Sequence, residues 1–105
     1  MKIIVLHTCS KEIQGFSEKV KLDLFELVND LSSGLSLSMP LSKKMLGMGK
    51  NVFELRLKDR NGIFRVIYFI KKEEAIYLIH AFQKKTQKTP KRNIDLAIKR
   101  IKGIS

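Results

Sequence analysis

Glu54, Arg56, Arg65, His80 and Lys84 are the side chains of this 105-residue chain best suited to chemistry, and their spacing sets them on strands. Side chains in a β-strand alternate between faces. Along 51–58, Val52, Glu54, Arg56 and Lys58 share one face; along 63–70 the matching set is Ile63, Arg65, Ile67 and Phe69. Along 75–82 it is Ile76, Leu78, His80 and Phe82, with Lys84 just beyond. A four-residue turn at Asp59-Arg60-Asn61-Gly62 puts Arg56 opposite Arg65, and a turn at Asn61-Gly62 sets them diagonally on the same face. A loop of 71–74 sets Arg65 opposite His80. Like charges on neighbouring strands cost a few tenths to about 1 kcal/mol. A face that gathers Arg56, Arg65, His80 and Lys84 accepts that cost where an anion lies against it. The competing arrangement sends each arginine into solvent, or pairs it with Glu54 or a loop carboxylate.

The complementary set, Phe53, Leu55, Leu57, Phe64, Val66, Tyr68 and Ile70, is a coherent apolar face for helices. With even-numbered hairpin loops, Tyr77, Ile79 and Ala81 join it. Residues 2–7 read as a first strand and 10–32 as a helical stretch broken near Gly15. Ser17 is its second N-cap and Glu18 complements the dipole. Val20, Leu24, Leu27, Val28 and Leu31 then fall on one helical face. Residues 35–50 are irregular, with Met39, Met45 and Met48 as gap-filling contacts. A last helix over 90–102 starts with Thr89 as cap and Pro90 in its first turn, and carries the stripe Ile94, Ala97, Ile98 and Ile101. The expectation is a single α+β domain over 1–105. Its strands, about 2–7, 51–58, 63–70 and 75–82, form an antiparallel meander with both helices on one face.

Composition narrows the function. The formal charge is +11, and residues 80–105 hold eight Lys/Arg against one acidic residue, so positive charge concentrates in the second half. A polyanion is the expected partner. Hydrophobic residues make up 44% of the chain, enough for a core without disulfides or a metal. The single Cys9 cannot form an internal disulfide, which suits a reducing cytoplasm. No apolar run approaches the roughly 20 residues that span a bilayer. The apolar start is too short for a signal core of about 7–15 residues. With His7 and His80 the only histidines, no metal site is expected. Cys9 lacks a base partner, and Gly47-x-Gly49 is too slight for a phosphate loop. No cofactor is expected.

Phe53-Glu54-Leu55-Arg56, Gly62-Ile63-Phe64-Arg65-Val66-Ile67-Tyr68 and the stretch from Leu78 through His80-Ala81-Phe82-Gln83-Lys84-Lys85 to Thr89-Pro90 resemble the phage-derived HigB-like branch of the RelE/ParE toxin superfamily. Pro40-Leu41-Ser42-Lys43-Lys44 looks like that branch's loop before the second strand. The resemblance implies a RelE-like fold and a toxin of a type II toxin–antitoxin system. It implies a ribosome-dependent messenger RNA endonuclease, metal-independent, in which a ribose 2′-OH attacks the adjacent phosphate. Such chemistry needs a proton acceptor, cations on the phosphate and a donor for the leaving oxygen.

Arg65 matches the family's third-strand arginine, whose planar fork suits phosphate. Arg56 matches a basic position in the second strand, and Lys84 and Lys85 the basic pair after the last. Related toxins often carry a tyrosine or histidine near the C-terminus; the final helix here has neither. His80 is then the acid–base candidate, or else a packed strand histidine. Glu54 is a second candidate base, or an orienter of Arg56. Phe82 is set to stack on an RNA base, or to cap the core edge. Lys43, Lys44, Lys50, Lys88, Lys91 and Arg92 read as backbone-binding charge. The implied partners are the ribosome and its message, and a helix-turn-helix antitoxin of the HigA kind. Two rival readings remain: a ParE-like gyrase inhibitor, and a non-catalytic nucleic-acid-binding module.

Overall fold

The computed structural model describes residues 1–72, 74–85 and 88–104. Eight elements follow one another: β1 (Lys2–Val5), α1 (His7–Gln14), α2 (Glu18–Ser32), β2 (Ser42–Lys44), β3 (Val52–Asp59), β4 (Gly62–Lys71), β5 (Ala75–Lys84) and α3 (Lys91–Ile104). The strands form one sheet in the order β1-β5-β4-β3-β2. β2 to β5 are antiparallel neighbours, as a meander requires. β1 instead runs parallel to β5, so the sheet is mixed.

The helical stretch breaks where its sequence says it should. Gly15 closes α1, and Ser17, extended at φ −66° and ψ 160°, accepts a hydrogen bond from the Val20 N–H to open α2. The same hydroxyl donates to Asp59 at 2.7 Å, tying the start of α2 to the β3–β4 turn. In that turn Asp59 pairs with Gly62, and the Asn61 N–H donates to the Asp59 carboxylate at 2.7 Å. This four-residue register puts Arg56 directly opposite Arg65.

Two cores share the sheet as a common wall, which corrects the placement of both helices on one face. Val20, Leu24, Leu27 and Leu31 of α2 and Cys9 of α1 pack with Leu55, Leu57, Phe64, Val66, Tyr68, Ile76, Leu78 and Ala81. On the opposite side α3 lays Ala97, Ile94, Ile98 and Ile101 against Val52, Ile67, Ile79 and Phe82. Strands apolar on both sides are the mark of a sheet covered twice. The reason lies in β5, where the pairing shifts between Ile67 and Tyr68: His80 faces Ile67, yet Leu78 faces Tyr68. The shift leaves Ile79 as an extra residue, a β-bulge, and reverses the side-chain parity on either side of it. Ile76 and Leu78 therefore join the α1/α2 core, whereas Tyr77 and Ile79 join the α3 core. The expected pairing of Arg65 with His80 is replaced by Arg65 with Phe82.

Where β1 ends, α1 takes over its place along β5. The Leu6 N–H still donates to Leu78 O at 3.1 Å, and the next free N–H on that edge, Ala81, donates to the Glu12 carboxylate of α1 at 3.1 Å. Thr89 does not cap α3 with its hydroxyl, which donates to Glu54 of β3 at 2.7 Å.

Candidate functional site

Four adjacent strands contribute to one charged region on the α3 side of the sheet, beyond the end of α3's apolar stripe. Lys43 of β2 stands opposite Glu54 of β3; Arg56 of β3 stands opposite Arg65 of β4; and Arg65 stands opposite Phe82, one step from Lys84 of β5. Parity puts these side chains on the same face. Glu54, Arg65 and Lys84 are all buried, and Arg56 is half-buried.

Burying ionised groups is costly unless they are paired. Glu54 is the pairing group here. Its Oε1 lies 3.4 Å from Arg65 Nε and its Oε2 accepts from Thr89. Arg65 Nη1 donates to the Phe64 carbonyl at 3.0 Å, while Nε has no aligned hydrogen bond among the described residues. One carboxylate thus stands among Arg56, Arg65 and Lys84. Burial, then the Arg56 charge, pull the Arg65 pKa down against the opposing pull of Glu54. Burial lowers the Lys84 pKa, with Arg65, Arg56 and Lys43 adding to the fall and Glu54 opposing it. The excess positive charge is a property of the fold, and it is the condition under which an anion is drawn in.

Three clefts meet at Arg56, two of them cationic and a third toward α2 that Lys19, Asp23, Glu26 and Asp30 also line. The first, about 390 Å³, is lined by Lys43, Lys44, Glu54, Arg56, Lys84, Lys88 and Thr89 together with Met45, Leu46 and Ile94. Five of its lining residues are cations and one, Glu54, is a carboxylate, so it carries net positive charge. The second, about 240 Å³, has Arg56 and Arg65 on one side and Pro40, Leu41, Leu57 and Ile63 as apolar walls, with Lys58 at its rim. Arg56 reaches over the edge strand toward Met39, its Nη1 at 3.3 Å from the sulfur.

The structure thus gathers Glu54, Arg56, Arg65, Lys84, Lys43, Lys44 and Lys88 of the expected residues. It puts the others elsewhere. His80 is buried 5.1 Å from the Phe82 ring and is held by a second network: Nε2 lies 2.7 Å from Asn93 Oδ1, and Nδ1 lies 3.0 Å from both Glu12 oxygens and 3.1 Å from Arg100 Nη1. That is the packed strand histidine of the alternative reading. Phe82 belongs to the α3 core and is 9% exposed, so its ring is not free to stack on a base. Lys50, Lys85, Lys91 and Arg92 are exposed and do not line the cationic cleft; Lys91 faces Asp95 at 3.9 Å. Burial, then Glu12, push the Cys9 thiol up to about 12, consistent with an inert core group.

Sequence reasoning missed Thr89 as a partner of Glu54, and missed β2, which brings Lys43 onto the site. It also missed Glu12, Asn93 and Arg100 around His80. The available signal was the unusual apolar content of the charged face, Val52, Ile63, Ile67 and Phe69, which called for a helix to cover part of it and a tethered connection leading into that helix.

A family model described as phage derived protein Gp49-like (DUF891) matches residues 11–102. Among curated proteins none matches the chain. Among solved structures, a mutant of the E. coli toxin RelE in the free state, with two arginines replaced by alanine, aligns over 99% of this chain and 97% of that one, at a TM-score of 0.67 and 13% identity. RelB–RelE, an antitoxin–toxin complex from Methanococcus jannaschii, aligns over 76% of this chain and 88% of that one, at a TM-score of 0.58 and 15% identity. These two likenesses are likenesses of fold. With the family match spanning nearly the whole sequence on a RelE-like α+β fold, the chain belongs to the Gp49-like family of phage-derived proteins, a RelE/HigB-type toxin family.

Proposed function

We propose that this toxin is a ribosome-dependent messenger RNA endonuclease of a type II toxin–antitoxin system, acting in the cytoplasm without a metal. The observation that carries the reading is the direct pairing of Arg56 with Arg65, backed by Lys84 and opening onto a cleft ringed by lysines. Membership of a RelE/HigB-type family supports it.

In the proposed reaction a ribose 2′-OH gives its proton to solvent and its oxygen forms a bond to the adjacent phosphorus as the bond to the 5′ oxygen breaks and that oxygen takes up a proton, leaving a cyclic phosphate and a free 5′-hydroxyl. Negative charge builds on the phosphate oxygens. Preorganised cations in a site poor in water stabilise that charge, typically by a factor of about 10²–10³ for each donor. Arg56, the more accessible guanidinium, meets the phosphate first. Arg65 stands behind it, oriented by Glu54 and the Phe64 carbonyl, with an Nε–H still to satisfy. Lys84 is the candidate acid for the leaving oxygen, because a depressed pKa makes its ammonium a readier proton donor than an ordinary lysine. Glu54 is a positioning residue for Arg65 in this scheme. His80 serves the fold, not the reaction. Lys43, Lys44 and Lys88 hold the flanking backbone, with Lys50, Lys85, Lys91 and Arg92 as more distant positive charge.

The partner is a small antitoxin, as RelB is for the M. jannaschii RelE; an acidic segment of it fits the cationic cleft, and a HigA-like helix-turn-helix protein fits the family. The decisive experiment is brief expression with mapping of RNA 5′ ends in cells, alongside Arg65→Ala and Lys84→Ala. New ends within translated messages, lost in both variants, are expected. DNA breaks without new RNA ends would instead indicate a gyrase inhibitor. A chain that neither arrests growth nor creates new ends would be a binding module.

A further inference from the structure

The two cationic clefts at Arg56 differ in a way the phosphate chemistry does not use. One is ringed by lysines. The other presents Pro40, Leu41, Leu57 and Ile63, and its charged residues, Arg56, Lys58 and Arg65, belong to the phosphate face. Ile63 stands in the sheet between Lys58 on β3 and Lys84 on β5, an aliphatic side chain in the middle of a cationic row, and it is 42% exposed. Leu41, facing the same cleft from the chain before β2, is 43% exposed. Its carbonyl accepts the Arg56 N–H at 2.8 Å, so this wall is fixed to the arginine itself.

Ile63 and Leu41 are exposed apolar side chains directly beside the paired arginines. Nucleic acid matches that juxtaposition, because it joins a charged phosphate to a flat apolar base. We propose that this cleft holds the nucleobase joined to the phosphodiester that Arg56 and Arg65 bind, with Leu41 and Ile63 as the walls against its two faces. The proposal rests on the nuclease reading and names the substrate subsite within it. Ile63 and Arg65 lie two positions apart on β4, a step of about 7 Å, which a ribose bridges. Single-stranded bases bind to such surfaces through their faces. Arg56, Lys58 and Arg65 frame the cleft, and the phosphate joined to the base supplies their counter-charge; an acidic antitoxin segment is the competing occupant, which the test separates from it.

The test uses the full chain on translating ribosomes, with RNA ends mapped for Ile63→Ala, Leu41→Ala, Ile63→Val and Arg65→Ala. Both alanine variants change exposed residues, so unaltered circular dichroism and melting are the check that they fold. Cutting is expected to fall roughly five- to tenfold in Ile63→Ala and Leu41→Ala, the lower range for loss of one stacked base. Base preference at one fixed position beside the cut should flatten in both, and Ile63→Val should retain it. If both alanine variants cut at the wild-type rate with the wild-type preference while Arg65→Ala abolishes cutting, the subsite is wrong and the nuclease reading stands. If they cut normally but escape neutralisation by the cognate antitoxin, the cleft belongs to a protein partner and the proposal is overturned. If the wild-type chain makes no cuts, the subsite falls together with the reading it rests on.

Discussion

Glu12 and Glu54 are two shielded carboxylates in the same sheet's surroundings, and they are treated in opposite ways. Glu12 has partners on both oxygens: Arg100 grips it at 2.9 and 3.2 Å, His80 stands at 3.0 Å and the Ala81 N–H donates at 3.1 Å. Its pKa falls, Arg100 leading the contacts that outweigh burial. Glu54 has one hydroxyl and one loosely aligned guanidinium, with Arg56 and Lys84 left over. In the first region the cations serve the carboxylate. In the second a lone carboxylate is outnumbered, and burial with neighbouring cations lowers the pKa values of Arg65 and Lys84. A saturated network holds α1, β5 and α3 together; an unbalanced one stores attraction for an anion from outside.

The sharpest test of this contrast separates activity from stability. Arg65→Met combined with Glu54→Gln should cut RNA about 10²–10³-fold less, while its denaturant midpoint holds or rises, because both charges of the buried pair are removed together and neither is stranded. Glu12→Ala should behave in the reverse sense. It strands Arg100 and His80 and is expected to lose about 2–3 kcal/mol of stability by urea titration, with the folded fraction still cutting. Comparable stability losses in the two variants would erase the distinction.

A second test is pH. The folded-state pKa of Glu12 lies below its ordinary value of 4.5, so its contribution to stability is complete above that value and is lost as pH falls through the folded pKa. Part of the acid-induced loss of stability below about pH 4.5 should vanish in Glu12→Gln, measured by melting from pH 6 down to pH 3 (order-of-magnitude window from the ordinary carboxylate range). The smallest effect is expected at Lys84. Its folded pKa is lowered from 10.5, so its charge opposes folding at neutral pH and stability should climb as the solution becomes alkaline toward that value. Lys84→Met should flatten that climb and add about 0.5 kcal/mol at pH 7 by removing a cross-strand repulsion, while cutting falls.

The β3–β4 hairpin was legible to within a residue at its ends. Strict alternation put Arg56 and Arg65 on one face, because nothing irregular lies between them, and of the two registers left open, opposite or diagonal, the Asp59–Gly62 pairing realises the first. The break between α1 and α2 was equally plain from Gly15 and Ser17. β5 was legible only in part: Lys71 pairs with Ala75, which turns Ile76 and Leu78 to the α1/α2 side, and the bulge at Ile79, with no marker in composition, restores the expected faces of Ala81, Phe82 and Lys84. β1 joins β5 across about seventy positions, a separation over which local pattern says nothing of direction. The cations of the site were therefore visible one by one, whereas the group that restrains them, Glu54 tethered by Thr89, emerged only from three-dimensional proximity.

The short first strand has a further consequence. β1 covers only Ala75 to Leu78 of a ten-residue β5, and an uncovered strand border invites another polypeptide to add itself by backbone pairing. With α1 lying where β1 stops and Glu12 occupying the Ala81 amide, a foreign chain must first dislodge a helix before it can extend the sheet there. Resistance to aggregation along that border is thus built from the same carboxylate that steadies the interior.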